Sequence, residues 1–148
     1  MGKMTLTVAM NGVDLGFGEK FSEEQAEIMI NGMVKGLTGN LALSEKYGYK
    51  ETYSKEVVDN GVWKFTFTVS EKNGKNHVFY IYLSGTAVVP KFNHAFKAEM
   101  YNPIIDKELV VVFCDTIEDL HFYKALTEMA MNDQRELIPE GFKMKYSA

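Results

Sequence analysis

The chain is expected to fold as an α+β domain: a mostly antiparallel sheet, built from a meander and an N-terminal hairpin, with two helices packed on one face. Three observations predict it. Residues Val62–Ser84 alternate apolar and polar on both sides of a glycine-containing turn. The segments before and after them alternate as well, with turn residues between. Two further stretches, opening at Ser22 and at Asp115 or Thr116, carry capping residues ahead of apolar positions at helical spacing.

Thr5–Phe17 reads as a hairpin turning at Asn11-Gly12. A two-residue type I′ turn there pairs Met10 with Val13, Val8 with Leu15 and Leu6 with Phe17, which sets all six hydrophobes on one face. Ser22-Glu23-Glu24-Gln25 is a capping box, in which Ser22 receives the Gln25 N–H and the Gln25 side chain reaches back. Ala26, Met29, Ile30, Met33, Val34 and Leu37 then recur at helical spacing, and Gly36 or Gly39 ends the helix. Its methionines read as adaptable core. Leu41–Lys50 is a connector.

The meander is the firmest element. From Trp63 to Val69, Trp63, Phe65, Phe67 and Val69 point one way and Lys64, Thr66 and Thr68 the other. The next arm sets Phe79, Ile81 and Leu83 against Val78, Tyr80 and Tyr82. A two-residue turn at Asn73-Gly74 would place Tyr80 beside Phe67. A three-residue loop Lys72-Asn73-Gly74, with Gly74 left-handed, pairs Phe67 with Phe79, Phe65 with Ile81 and Trp63 with Leu83. The second choice gathers the strongest hydrophobes together and is adopted. Upstream, a three-residue loop Asp59-Asn60-Gly61 pairs Val57 with Trp63 and Tyr53 with Phe67. It also sets Glu56 opposite Lys64 and Ser54 opposite Thr66, pairs that neighbouring strands favour by roughly 0.2–1 kcal/mol each. Lys55 falls on the apolar face, where its stem can snorkel.

Beyond Gly85, Thr86–Met100 reads as one or two short strands, with Pro90 at an edge or bulge. Asn102-Pro103 marks a turn. Leu109–Cys114 is an unbroken apolar run, the pattern of a strand covered on both faces. The second helix runs to about Met131, with Asp115-x-x-Glu118 as a capping box and Ile117, Leu120, Leu126, Met129 and Ala130 on its buried side. Phe142, Met144 and Tyr146 alternate with lysines and suggest a last edge strand. Residues 1–148 are read as one domain, long enough to bury about two-thirds of its unfolded surface.

Composition excludes several functions. The net charge of −4 lacks the basic excess of a nucleic-acid binder. Arg135 is the one arginine among sixteen basic residues, so bidentate recognition of phosphate or guanine is scarcely represented. The single cysteine, Cys114, permits no internal disulfide and no thiolate metal cluster. With no signal-like N-terminus and no apolar run of membrane-spanning length, a cytoplasmic, unexported protein without membrane contact is expected.

Candidate chemistry is sparse. Cys114 sits where a strand meets a helix N-terminus, a place that can lower a thiol pKa, yet His121 lies about two turns on and His77 and His94 are elsewhere. Cys114 is read as a buried hydrophobe. Glu118-x-x-His121 lacks a second ligand pair and is read as a solvated helix face, so no metal site is assigned. Neither Gly32-x-x-x-Gly36 nor Gly16-Phe-Gly18 forms a phosphate cradle, and no cofactor is expected.

What remains is surface. With the helices over the Trp63/Phe65/Phe67 face, the residues Lys64, Thr66, Thr68, Tyr80 and Tyr82 stand on the other side as a contact patch, since tyrosine buries area at small entropic cost. The leading expectation is a non-catalytic binding protein, working through a protein partner or self-association. An inhibitor or immunity-type protein carried by a phage or mobile element fits that type. The alternatives are a small-ligand binder with a pocket between sheet and helices lined by Trp63, Tyr53 and the methionines, and a cysteine-dependent enzyme using Cys114.

Overall fold

The computed structural model describes residues 9–14, 24, 28, 48–59, 61–85, 92–133 and 135–148. Its strands are β1 (Ala9–Met10), β2 (Val13–Asp14), β3 (Lys50–Asp59), β4 (Val62–Ser70), β5 (Asn76–Ser84), β6 (Phe96–Asn102), β7 (Lys107–Cys114) and β8 (Lys143–Ser147). All join one antiparallel sheet, running β3–β4–β5–β7–β6–β8, with the β1–β2 hairpin set against the far end of β5. One helix of the described residues, α1 (Ile117–Asp133), packs on it. A helix over 22–37 falls outside the described residues, save that Glu24 and Ile28 are both helical.

The central hairpin has the register its alternation dictates. Phe67 faces Phe79, Phe65 faces Ile81 and Trp63 faces Leu83, while Thr66 faces Tyr80 and Lys64 faces Tyr82. Glu71 N–H donates to the Lys75 carbonyl and Gly74 N–H to that of Glu71, with Gly74 at φ 89°. One side of β4 and β5 therefore carries Phe65, Phe67, Val69, Phe79, Ile81 and Leu83, all buried. They meet Leu120 and Tyr123 of α1, Val112 and Cys114 of β7, and Ala98 of β6 in one core. The Phe79 and Tyr123 rings lie 5.2 Å apart.

The β3–β4 pairing also holds, with Val57 opposite Trp63, Tyr53 opposite Phe67 and Glu56 opposite Lys64, the last an ion pair at 3.8 Å. The reversal differs from the expected three-residue loop. Asp59 pairs directly with Val62, and a bulge between Val57 and Asp59 restores the parity that the tighter turn would have reversed.

The first turn is type I′ in character, with Asn11 at φ 47°, Gly12 at φ 85° and Met10 paired to Val13. The outer pairs expected of that hairpin lie outside the described residues. Asn11 does more than turn the chain. Strand β5 pairs with β7 at Tyr80–Phe113 and with β1 at Leu83 and Ser84, so its edge forks between them. The buried Asn11 side chain closes the fork: Oδ1 accepts the Tyr82 N–H at 2.8 Å, and Nδ2 donates to the carbonyls of Val110 and Val111 at 3.0 and 3.1 Å. Val111 is the residue skipped where the β6–β7 register shifts, so a carbonyl left over by that bulge finds a donor.

Strand β7 buries Val111, Val112 and Cys114 in the helix-side core, and on its other face Phe113 is half-buried against Phe92 and His94. Strand β8 pairs with β6, turning Met144 and Tyr146 toward the core. Helix α1 is capped by Thr116, whose Oγ1 accepts the Asp119 N–H at 3.2 Å. The acids of the expected Asp115–Glu118 box are drawn off elsewhere: Asp115 to His94 at 2.7 Å and Glu118 to Lys75 at 3.0 Å. Leu120 and Leu126 are buried as expected, but Ile117 is 47% exposed and Tyr123 takes the central position. The helix is tied to the hairpin tip by His77, which lies between Asp119 (3.0 Å) and Glu71 (2.9 Å) and stacks on Phe122 at 3.8 Å. No helix among the described residues is long and apolar enough to cross a membrane.

Candidate functional site: the second face of the sheet

The alternation that builds the core also builds its opposite. Lys64, Thr66 and Thr68 of β4 lie across from Tyr82, Tyr80 and Val78 of β5, on the face turned away from α1. The five residues Lys64, Thr66, Thr68, Tyr80 and Tyr82 are thus brought together on one surface. They are not equivalent. Lys64, Thr66, Thr68 and Tyr80 are half-buried, whereas Tyr82 is 7% exposed.

Tyr82 is covered by the segment Phe92–His94, which folds across the sheet. Phe92 stacks on the Tyr82 ring with centroids 3.7 Å apart, and the Tyr82 hydroxyl bonds His94 Nε2. His94 Nδ1 lies 2.7 Å from Asp115 Oδ1. A carboxylate only accepts, so Nδ1 carries the hydrogen; in the neutral ring Nε2 is then the acceptor of the Tyr82 hydroxyl. Phe113 of β7 closes the cluster, edge-on to Tyr82 at 6.0 Å and stacked on His94 at 5.4 Å. Tyr80 lies over His94 at 4.6 Å, and the Lys64 ammonium sits 4.7 Å above the Tyr80 ring, a cation–π contact.

Burial first, then the nearby Asp115 carboxylate, pushes the Tyr82 hydroxyl up to about 12 and raises Tyr80 as well. Both phenols therefore stay neutral donors at ordinary pH. The result is an aromatic base of Tyr82, His94, Phe92 and Phe113 carrying a half-exposed rim of Tyr80, Lys64, Thr66 and Thr68. Alternation along β4 and β5 identified the rim. It missed His94, Phe92, Phe113 and Asp115, which come from distant segments; the signal available was the Phe92-x-His94 spacing, which sets an aromatic and an imidazole on one side of an extended chain.

Cys114 is fully buried in the helix-side core. Burial, with Asp119 and Asp115 adding to it, pushes its thiol up to about 12. This surrounding opposes a thiolate. Alkylation of Cys114 by iodoacetamide at pH 8 is expected to be at least 100-fold slower than that of a free thiol near its ordinary pKa of about 8.5. A group whose folded pKa is raised keeps its proton in the native state while the unfolded chain loses it. Stability is therefore expected to fall between about pH 9 and 12, and Cys114→Ala to flatten the Cys114 part of that decline in a pH series of urea titrations.

His121 is exposed on α1, and Glu118, its partner in the helical spacing, is held by Lys75, which lowers the carboxyl pKa. Among the described residues no three His, Cys, Asp or Glu side chains form a metal-binding group. Of the expected ligand pocket, Trp63 packs against the core, Tyr53 is 40% exposed on β3, and the methionines of 29–33 lie outside the described residues. Compared with known protein-family models, curated proteins and solved structures, the chain matches none.

Proposed function

We propose that this chain is a non-catalytic binding protein that acts by docking the second face of its sheet onto a protein partner. The observation that carries the reading is the half-exposed rim of Tyr80, Lys64, Thr66 and Thr68 on an aromatic base that holds it in place. A recognition surface gains affinity when its side chains are already ordered, because less entropy is lost on contact. Tyrosine and threonine serve such a surface well: the ring buries area, the hydroxyls satisfy polar groups, and Lys64 adds charge selectivity at the border. A small acidic domain of this kind suits an inhibitor or immunity-type antagonist of another protein, of the sort carried by a phage or mobile element.

The test is affinity capture from the native cells with wild-type bait and with Lys64→Ala/Tyr80→Ala bait. Both substitutions sit on the half-exposed rim, so the bait is expected to stay folded and to lose the partner, with binding weakened at least tenfold. Tyr82 is left intact, since its removal would empty the space under Phe92 and His94 and confuse folding with binding. A partner retained in full by the doubly substituted bait would end the reading.

A further inference from the structure

The proposed function leaves open what meets the border of the sheet at β3. Among the described residues β3 pairs with β4 alone. It is ten residues long, and Thr52, Ser54 and Glu56 are exposed, as are Tyr53 (40%), Val57 (67%) and Val58 (45%). A long border strand is a template for another strand, and apolar side chains on it favour that outcome.

We infer that the occupant is a second copy of this chain, paired β3 to β3 antiparallel about a two-fold axis through Tyr53. The inference goes beyond the contact-surface reading above, since it concerns the border strand β3 and not the second face of β4 and β5. Residues directly opposed in an antiparallel pair point to the same face. On β3 the faces alternate with residue number, so position i can oppose only a position of the same parity in its twin. That holds only when the axis passes through a residue, which leaves few registers to compare. Axes at Glu51, Lys55 or Glu56 place identical charges against each other. Axes at Thr52 or Ser54 bring no opposite charges together.

The axis at Tyr53 sets Lys50 against the partner's Glu56, Glu51 against the partner's Lys55, and Thr52 against the partner's Ser54. Every charged pair is then of opposite sign, and each is repeated by the two-fold. The stretch Lys50-Glu51-Thr52-Tyr53-Ser54-Lys55-Glu56 is thus complementary to itself in reverse. Glu56 already touches Lys64, but at 3.8 Å and with its side chain 63% exposed it has room for a second cation. The bulge after Val57 ends regular pairing just past this segment. With the axis perpendicular to the sheet, the rims of Tyr80, Lys64, Thr66 and Thr68 of both protomers face the same way. The pair would present one continuous double-length surface.

Sedimentation velocity of the full chain, from micromolar to sub-millimolar concentration, is expected to show a reversible dimer. Lys50→Glu, which opposes like charges twice across the axis, should weaken it by about tenfold or more, and adding Glu56→Lys should restore it. Tyr53→Cys should form a covalent dimer under mild oxidation. Ser54→Cys should do so only when mixed with Thr52→Cys, and Cys114 is too buried to interfere. A monomer at all concentrations, a dimer indifferent to Lys50→Glu, or Ser54→Cys linking to itself faster than Tyr53→Cys would overturn the inference. A monomer whose captured partner still depends on Lys64 and Tyr80 ends this inference alone. A charge-sensitive dimer without such a partner upholds it and removes the docking reading instead.

Discussion

Asn11→Ala is expected to lower the free energy of unfolding by about 3 kcal/mol or more, a large effect for a residue in a two-residue turn. The substitution strands the Tyr82 N–H and the carbonyls of Val110 and Val111, all served by one buried amide. Each buried polar group left without a partner costs roughly 1–3 kcal/mol. Asn11→Gly separates this from backbone strain, because glycine accepts the φ of 47° freely but makes no side-chain bonds. The glycine variant is therefore expected to lose nearly as much stability as the alanine variant in urea titrations. If it is as stable as wild type, the fork between β5 and β7 is held by something other than this side chain.

His77→Ala is expected to cost about 3–5 kcal/mol, the penalty for emptying a buried ring site and stranding the polar groups on both sides of it. The ring is 3% exposed, bonds carboxylates at both nitrogens, and stacks on Phe122. Its loss leaves the Glu71 and Asp119 carboxylates facing a cavity with no donor between them. Asp119→Asn added to His77→Ala should recover part of the loss by removing one stranded charge, and thermal unfolding of the single and double variants measures this. Additive losses would show that packing against Phe122, and not the two carboxylates, is what His77 supplies.

Much of this architecture is legible in the residues themselves, for a reason that can be stated. Side chains alternate strictly along β4 and β5, so the three-residue reversal ending in Gly74 determines which set each strand contributes to the core. The Asn11-Gly12 turn is legible in the same way, because only residues tolerant of positive φ accept it. The β3–β4 register is correctly read although its loop is not: the bulge and the tighter turn offset each other, and parity alone cannot distinguish that from a longer loop.

What is not legible is the set of contacts that joins distant segments. Nothing local says that Asn11 meets Val110 and Val111, that His77 meets Asp119, or that Phe92 and His94 lie over Tyr82. The same gap undoes the expected capping box of α1, although Thr116, one of the two expected caps, does cap the helix. Asp115 and Glu118 have the right spacing for a box, but tertiary partners of opposite or complementary character compete for both carboxylates. The rim of the candidate site was therefore readable and its base was not. That difference assigns Tyr82 a supporting part under Phe92 and His94, with Tyr80 left at the surface.

The division of labour between the two sides of β4 is tested most directly by Thr66→Glu, measured for partner affinity by calorimetry alongside its urea midpoint. Thr66 lies between the buried Phe65 and Phe67 in sequence but opens onto the opposite side beside Tyr80. The variant is expected to keep its stability within about 1 kcal/mol of wild type, as for surface changes generally, and to bind its partner at least tenfold more weakly. A Thr66→Glu protein that keeps its stability and binds its partner as tightly as wild type would contradict that division of labour.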